Sequence, residues 1–170
     1  MEFREYENAV AAYVSGLNIK SMPLTSWNFY AEYFDRTVKI LSDTNVLKEI
    51  ARLNSWSQEW DLYNELQSET VIVVTCAKLK IVFASQNIHK MNGYKPEEVL
   101  GNSPKMFQGQ ATDSFISKQI GEAVNNKKSF DKIVINYKKD GSQYKCHIKG
   151  FPIFNKNGKL MNFIAFEKAA

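Results

Sequence analysis

Residues 130–168 read FDKIVINYKKDGSQYKCHIKGFPIFNKNGKLMNFIAFEK. Three runs rich in β-branched and aromatic residues, about Phe130 to Lys139, Ser142 to Phe154 and Lys159 to Lys168, are separated by Asp140-Gly141 and Asn157-Gly158. These dipeptides accept the positive φ that a tight hairpin turn demands, so the stretch predicts three consecutive antiparallel strands. In the middle strand, alternation places Tyr144, Cys146 and Ile148 on one face and Lys145, His147 and Lys149 on the other. His147, between lysines, reads as a surface residue rather than a ligand. The flanking strands are apolar on both sides: Val134, Phe163 and Ala165 on one, Ile133, Ile135, Tyr137, Ile164 and Phe166 on the opposite one. A sheet apolar on both faces is covered on both. Its own helices supply one cover. The N-terminal helices, a second copy, or both are expected to supply the other, with Trp27, Tyr30 and Phe34 at that interface.

Working outward, Thr70 to Cys76 and Lys80 to Ala84 read as a further hairpin. Helical turns follow at Asn87 to Met91, closed by Asn92-Gly93, and at Glu97 to Leu100; the longest helix of this half is Thr112 to Asn126. Two strands, several helices and three strands in that order give an α+β fold, a five-stranded antiparallel sheet with short helices on one face. Upstream of Ser68 the period is helical. Glu2 to Val14 is a first helix ended by Gly16. Ser26 caps a second with Trp27, Tyr30, Phe34, Val38 and Leu41 on one stripe. Asp43 or Thr44 starts a third, and Ser55-Trp56-Ser57-Gln58 fits a capping box opening a fourth. The division expected is a helical extension over 1–67 and a second domain over 68–170.

Composition narrows the function. The chain has 170 residues, 44% hydrophobic and 24% charged, a globular balance with enough length for a core without disulfides or metal. The two cysteines, Cys76 and Cys146, are too few for a disulfide scaffold or a metal site. No apolar run approaches a membrane span and the polar N-terminus is no signal peptide, so a cytoplasmic protein is expected. Residues 1–67 hold six basic and ten acidic residues; 68–170 hold 16 basic, all lysine, and eight acidic. The lysines are scattered, which argues for a solvated face and against a nucleic-acid partner. There is no Gly-rich phosphate loop, nucleophile elbow or paired-carboxylate motif, and no enzyme is expected. His89, between Ile88 and Lys90, reads as a surface residue, and haem is not expected.

Residues 68–168 resemble the PAS domain family, with the closest likeness to the light-oxygen-voltage (LOV) subgroup that holds flavin mononucleotide. The matching segments are Ile81-Val82-Phe83-Ala84-Ser85, Met91-Asn92-Gly93-Tyr94, Pro96-Glu97-Glu98-Val99-Leu100-Gly101, Phe107-Gln108-Gly109, Thr112-Asp113, Asn136-Tyr137-Lys138-Lys139-Asp140-Gly141 and Asn162-Phe163-Ile164. The subgroup's loop reads G-x-N-C-R-F-x-Q-G, and its cysteine adds to the flavin ring. Here the loop is Gly101-Asn102-Ser103-Pro104-Lys105-Met106-Phe107-Gln108-Gly109. The resemblance thus puts Pro104 at the cysteine, Lys105 and Gly121 at two phosphate arginines, Cys146 at a ring-reading asparagine and Glu167 at the strand-end glutamine. Asn136 and Gln108 match. From the residues alone, Ser103-Pro104 is a helix start. Lysine cannot make the bidentate fork of arginine and glycine offers no side chain, so flavin mononucleotide is not expected and the cofactor stays unknown. An inward Glu167 should be protonated or paired, with Lys105 as one partner considered.

The resemblance implies a non-enzymatic sensory or regulatory module for signal transduction. Its pocket is expected at Ser103, Pro104, Lys105, Gln108, Val134, Asn136, Cys146, Ile148, Phe163, Ala165 and Glu167. It is expected to bind a small ligand or an unidentified partner protein and to form a homodimer. The chain stops just after its last strand, so no kinase or DNA-binding output is expected beyond it. Two alternatives remain open: a flavin-binding photoreceptor or redox sensor working without the cysteine, and a ligand-free interaction scaffold.

Overall fold

A computed structural model describes the backbone from Thr25 to Ala170 and side chains from Tyr30. The helix expected over Glu2 to Val14, and the side chain of Trp27, lie outside the described residues. Residues 37–170 form one compact unit; residues before Thr37 fall in another. The elements are helix α1 (Thr25–Leu53), α2 (Leu62–Gln67), strands β1 (Val71–Cys76) and β2 (Ile81–Ala84), and helices α3 (Ile88–Asn92) and α4 (Pro96–Val99). A 3-10 turn (Pro104–Phe107), α5 (Ser114–Asn125), β3 (Phe130–Tyr137), β4 (Gln143–Phe154) and β5 (Leu160–Ala169) complete the chain.

The strands form one antiparallel sheet in the order β2-β1-β5-β4-β3. The α+β architecture read from the sequence is therefore the observed one. Both glycine turns have the geometry their residues favour. Gly141 and Gly158 sit at φ +84° and +74°. The Asp140 carboxylate accepts from the Ser142 amide at 2.8 Å, and Asn155 Oδ1 accepts from Asn157 and Lys159 amides at 3.0 and 2.9 Å. Such side-chain bonds fix the turn without using the ladder.

The helical half departs from expectation in two places. First, Asp43 and Thr44 do not start a new helix; α1 runs through them. Thr44 Oγ1 donates to the Ile40 carbonyl at 2.7 Å, a bond made within a continuing helix. The Asp43 carboxylate is buried and accepts from the Gln86 amide at 2.8 Å, just past β2. Its capping capacity serves a tertiary contact. Second, Ser55 to Gln58 open no helix. Trp56 makes a bridge to Asn155, Ser57 Oγ donates to the Phe154 carbonyl at 2.9 Å, and the helix starts later, capped by Asp61.

One face of the sheet is covered by this N-terminal chain. Leu47, Trp56, Leu62 and Leu66 pack with Ile72, Val74, Phe83, Ile153, Ile164 and Phe166, flanked by Ile40, Ile50, Ala51, Trp60 and Phe151. Each fully buried aliphatic contributes about 1.5–3 kcal/mol, so these residues are integral to the fold. The cover is joined by hydrogen bonds: Trp56 Nε1 donates to Asn162 Oδ1 at 2.9 Å, and Asn162 Nδ2 donates to the Thr75 carbonyl at 3.1 Å.

Of the residues expected at this contact, Ile164 and Phe166 make it, with the covering turn of α1 around Leu47; Tyr30 and Phe34, which fall in the other unit, are each 70% exposed. Ile133 stays 51% exposed and Ile135 is half-buried, since β3 lies at the sheet edge beyond the cover. Tyr137 serves that edge rather than an interface. Its ring lies on Gly109, where an added Cβ would come within 2.5 Å, and its hydroxyl accepts from the Ala111 amide at 2.8 Å. Among the described residues, no helix is long and apolar enough to cross a membrane.

Candidate functional site

The other face carries the candidate site. At the β1–β2 end it is apolar: Val71, Val73, Ile81, Ala84, Ile88, Val99 and Phe107 form a buried cluster, with Met91, Tyr94, Met106 and Ala165 against it. The Tyr94 ring meets Phe107 edge-on at 5.7 Å. The short segments behind this face are set by local chemistry. Gly93 ends α3 in the left-handed region at φ +81°, the Lys95 amide donates to Glu98 at 2.8 Å ahead of α4, and Ser103 Oγ accepts from the Lys105 amide at 3.4 Å with Pro104 at the first position. The helix start read at Ser103-Pro104 is thus a 3-10 turn.

Toward β3 and β4 the same face turns polar. Register pairs Asn136 with Tyr144, Val134 with Cys146, and Ile148 with Glu167, so all six side chains share it. Asn136, Cys146 and Glu167 are buried, as are Val134 and Phe163; Gln108, Ile148 and Ala165 are half-buried. The Cys146 thiol donates to Glu167 Oε2 at 3.7 Å. Burial raises the Glu167 carboxyl to about 7, against the smaller opposing pull of that thiol. Burial, with the Glu167 charge second, pushes the Cys146 thiol far upward, so it stays protonated and a poor nucleophile at neutral pH. Lys105 is exposed and makes no ion pair with Glu167; the carboxyl's partner is the thiol. The expected pocket residues of the sheet share one face, whereas Lys105 is exposed.

Two residues outside the expected set belong here. Asn92, at the end of α3, is fully buried; its Oδ1 accepts from the Tyr94 amide at 3.1 Å and its carbonyl from the Lys139 amide at 2.9 Å. Its Nδ2 and the Tyr144 hydroxyl are both buried. Burial raises the Tyr144 phenol, against the opposing effect of hydrogen bonds with the Asn92 and Asn136 side chains. Strand alternation could have found Tyr144, which shares the Cys146 face. Asn92 offered only a helix-end signal.

Elsewhere, His147 pairs with Asp131 at the surface, and exposed His89 Nδ1 lies 3.1 Å from the Gly93 carbonyl. Among the described residues, no cluster of His, Cys, Asp and Glu could hold a metal. An open cleft of about 530 Å³ lies on the N-terminal cover, lined by Lys48, Arg52, Trp56, Trp60 and Lys156 among others.

Comparison with known proteins places this geometry. The family model of the PAS domain matches residues 68–168. Protein TWIN LOV 1 of Arabidopsis thaliana is 40% identical over 88 residues, 51% of this chain and 22% of that protein. Phototropin-2 of Oryza sativa subsp. japonica is 33% identical over 108 residues, 63% and 12% respectively. A blue-light-activated histidine kinase of Brucella abortus is 35% identical over 85 residues, 50% and 17%. The chain therefore spans less than a quarter of these relatives' length. Among solved structures, a light-oxygen-voltage domain studied with a flavin analogue superposes with TM-score 0.61 at 23% identity, over 66% of this chain and 86% of that one. The dark structure of Aureochrome1 LOV gives 0.60 at 23% identity, over 67% and 86%. At those identities the likeness is one of fold.

Proposed function

Since this chain belongs to the PAS domain family, we propose that it is a sensory or regulatory module for signal transduction, non-enzymatic and cytoplasmic, that works without cysteine photochemistry. The observation carrying this reading is β5 itself. Glu167 and Ala165 face the interior, while the alternate residues Phe166 and Ile164 sit under the N-terminal cover. A ligand that binds one arrangement of the interior better than another can bias the cover through that one strand. Relatives whose names denote light receptors and a light-activated kinase support a signalling role.

The residues present do not fit flavin mononucleotide. Pro104 occupies the loop where the resemblance expects the reactive thiol. Cys146 is bonded to Glu167, and Cys76 ends β1 in the row of Asn162, on the covered face. Lys105 is exposed and Gly121 has no side chain to hold a phosphate. The test is the visible absorption spectrum of the freshly purified protein, before and after incubation with flavin mononucleotide. No flavin band retained after gel filtration is expected; a stably bound flavin would overturn this reading in favour of a cysteine-less flavin photoreceptor or redox sensor.

A further inference from the structure

We propose that the open cleft on the N-terminal cover docks an acidic segment of a partner protein, with one apolar side chain of that segment seated on the cleft floor. This rests on the sensory reading above for its role as an output, and it names the chemistry of the partner.

The last turns of α1 make one wall. Lys48, Ala51 and Arg52, spaced i, i+3 and i+4, share one helix face. The helix ends because Ser55 takes the left-handed region at φ +51°, and the Ser55 and Trp56 amides donate back to the Arg52 and Ala51 carbonyls at 3.1 and 3.0 Å. That reversal starts the run that brings Trp56 and Trp60 into the cleft. The turn between β4 and β5 adds Lys156. It is tied to the same run by the bridge from Trp56 to Asn155 and by the Ser57 amide, which donates to the Phe154 carbonyl at 2.9 Å. The cleft is therefore built before any partner arrives, which lowers the ordering cost of binding.

The partner's chemistry follows from the lining. Ala51, Trp56, Trp60 and Leu62 are its buried and half-buried part, whereas Lys48, Arg52, Glu59 and Lys156 are exposed. An apolar floor inside a charged rim is the anatomy of a protein docking site. Three of the four charged lining residues are cations. Arg52 is already paired with Glu49 at 2.6 Å, but among the described residues Lys48 and Lys156 have no ion-pair partner. Complementarity calls for carboxylates flanking an apolar side chain. Nucleic acid fits less well, because two unpaired lysines are few for a phosphate track. Trp56 is only 8% exposed, and the Trp60 ring packs on Phe151 and Phe166 at 5.1 and 5.3 Å, so little open indole face is left for a base to stack on.

Both floor tryptophans reach β5. Trp56 does so through Asn162, and Trp60 through Phe166, the neighbour of inward-facing Glu167. A partner in the cleft thus touches, through those two rings, the strand whose other face lines the interior, and the two sites can bias each other.

The test titrates the full chain with the peptide acetyl-Glu-Glu-Phe-Glu-Glu-amide by calorimetry, with the indole N–H signals of Trp56 and Trp60 followed by NMR. One control peptide carries glutamine for glutamate and another alanine for phenylalanine. The acidic phenylalanine peptide should bind about tenfold tighter than either control and shift both indole signals. Its binding should weaken as salt rises from about 0.05 to about 0.5 M. Lys48→Gln combined with Lys156→Gln, at two exposed positions outside the core, should weaken it about fivefold, and Glu59→Gln should tighten it about twofold. A glutamine peptide that binds as well, or a lysine variant that binds unchanged, would overturn the proposal. So would tighter binding of an oligothymidylate, which would make the cleft a nucleic-acid site. No binding of any probe would also overturn it and would leave the sensory reading standing, since the absorption spectrum tests that reading independently.

Discussion

Glu167 is a carboxyl group placed where its neutral form is the comfortable one, and that gives the protein a pH dependence of unusual sign. Ordinary surface carboxylates here, such as Glu98 beside Lys139 and Asp131 beside His147, are held below their usual range by their partners. Glu167 goes the other way, to about 7 from the usual 4.5. Between those two values the unfolded chain has lost the proton that the folded one keeps. Stability contributed by this group is full below about pH 4.5 and falls as pH rises toward 7, by about 3 kcal/mol in all. Glu167→Gln should remove that loss. Urea unfolding of both proteins at pH 5 and pH 8 measures most of it: the parent should lose roughly 2–3 kcal/mol more than the variant over this interval, part of the loss having already occurred by pH 5. Equal losses would mean that the carboxyl is solvated when folded. Strand alternation placed Tyr144, Cys146 and Ile148 on one face without any contact being known, and the family resemblance added Asn136 and Glu167 to it. The carboxyl's pairing was not legible: Lys105 was the partner considered, and only the fold brings the Cys146 thiol to Glu167 instead.

The strands were easier to read than the helices, for a physical reason. Asp140-Gly141 and Asn157-Gly158 act locally, through backbone conformation, and their turns form wherever the flanking strands can pair. Asp43 and Ser57 are polar residues whose partners, the Gln86 amide and the Phe154 carbonyl, lie far along the chain. Sequence spacing read Asp43 as a local cap and Ser57 as an inner position of a capping box, because distant partners leave no local mark. The Asp43 contact can be weighed directly. It joins α1 to the turn between β2 and α3 at Gln86. Asp43→Ala leaves the Gln86 amide without its acceptor and should cost about 1–3 kcal/mol in urea unfolding. Asp43→Asn, which keeps an acceptor oxygen, should cost less. An alanine variant as stable as the parent would show that water replaces the carboxylate at no loss.

For the molecule as a whole, the family match begins at Ser68 but the compact unit begins at Thr37. A chain starting at Ser68 loses Leu47, Trp56, Leu62 and Leu66 and bares Ile72, Val74, Ile153, Ile164 and Phe166. It should aggregate or bind a hydrophobic dye; a soluble monomer of unchanged thermal stability would refute this. The exposed Tyr30, Tyr33, Phe34, Val38 and Leu41 along α1 support the proposed homodimer. Light scattering should return twice the chain mass, and a monomer mass at high concentration counts against it. The strand order carries a further consequence, for biosynthesis. β5 pairs with both β1 and β4, yet it is the last strand to leave the ribosome. The β1–β2 hairpin must wait for about 80 residues to be translated before it gains its second neighbour, several seconds at about 5–20 residues per second. For most of that interval the nascent chain holds the β1–β2 hairpin with an unpaired edge, joined late by the β3–β4 hairpin, which makes it a client for holding chaperones until β5 emerges.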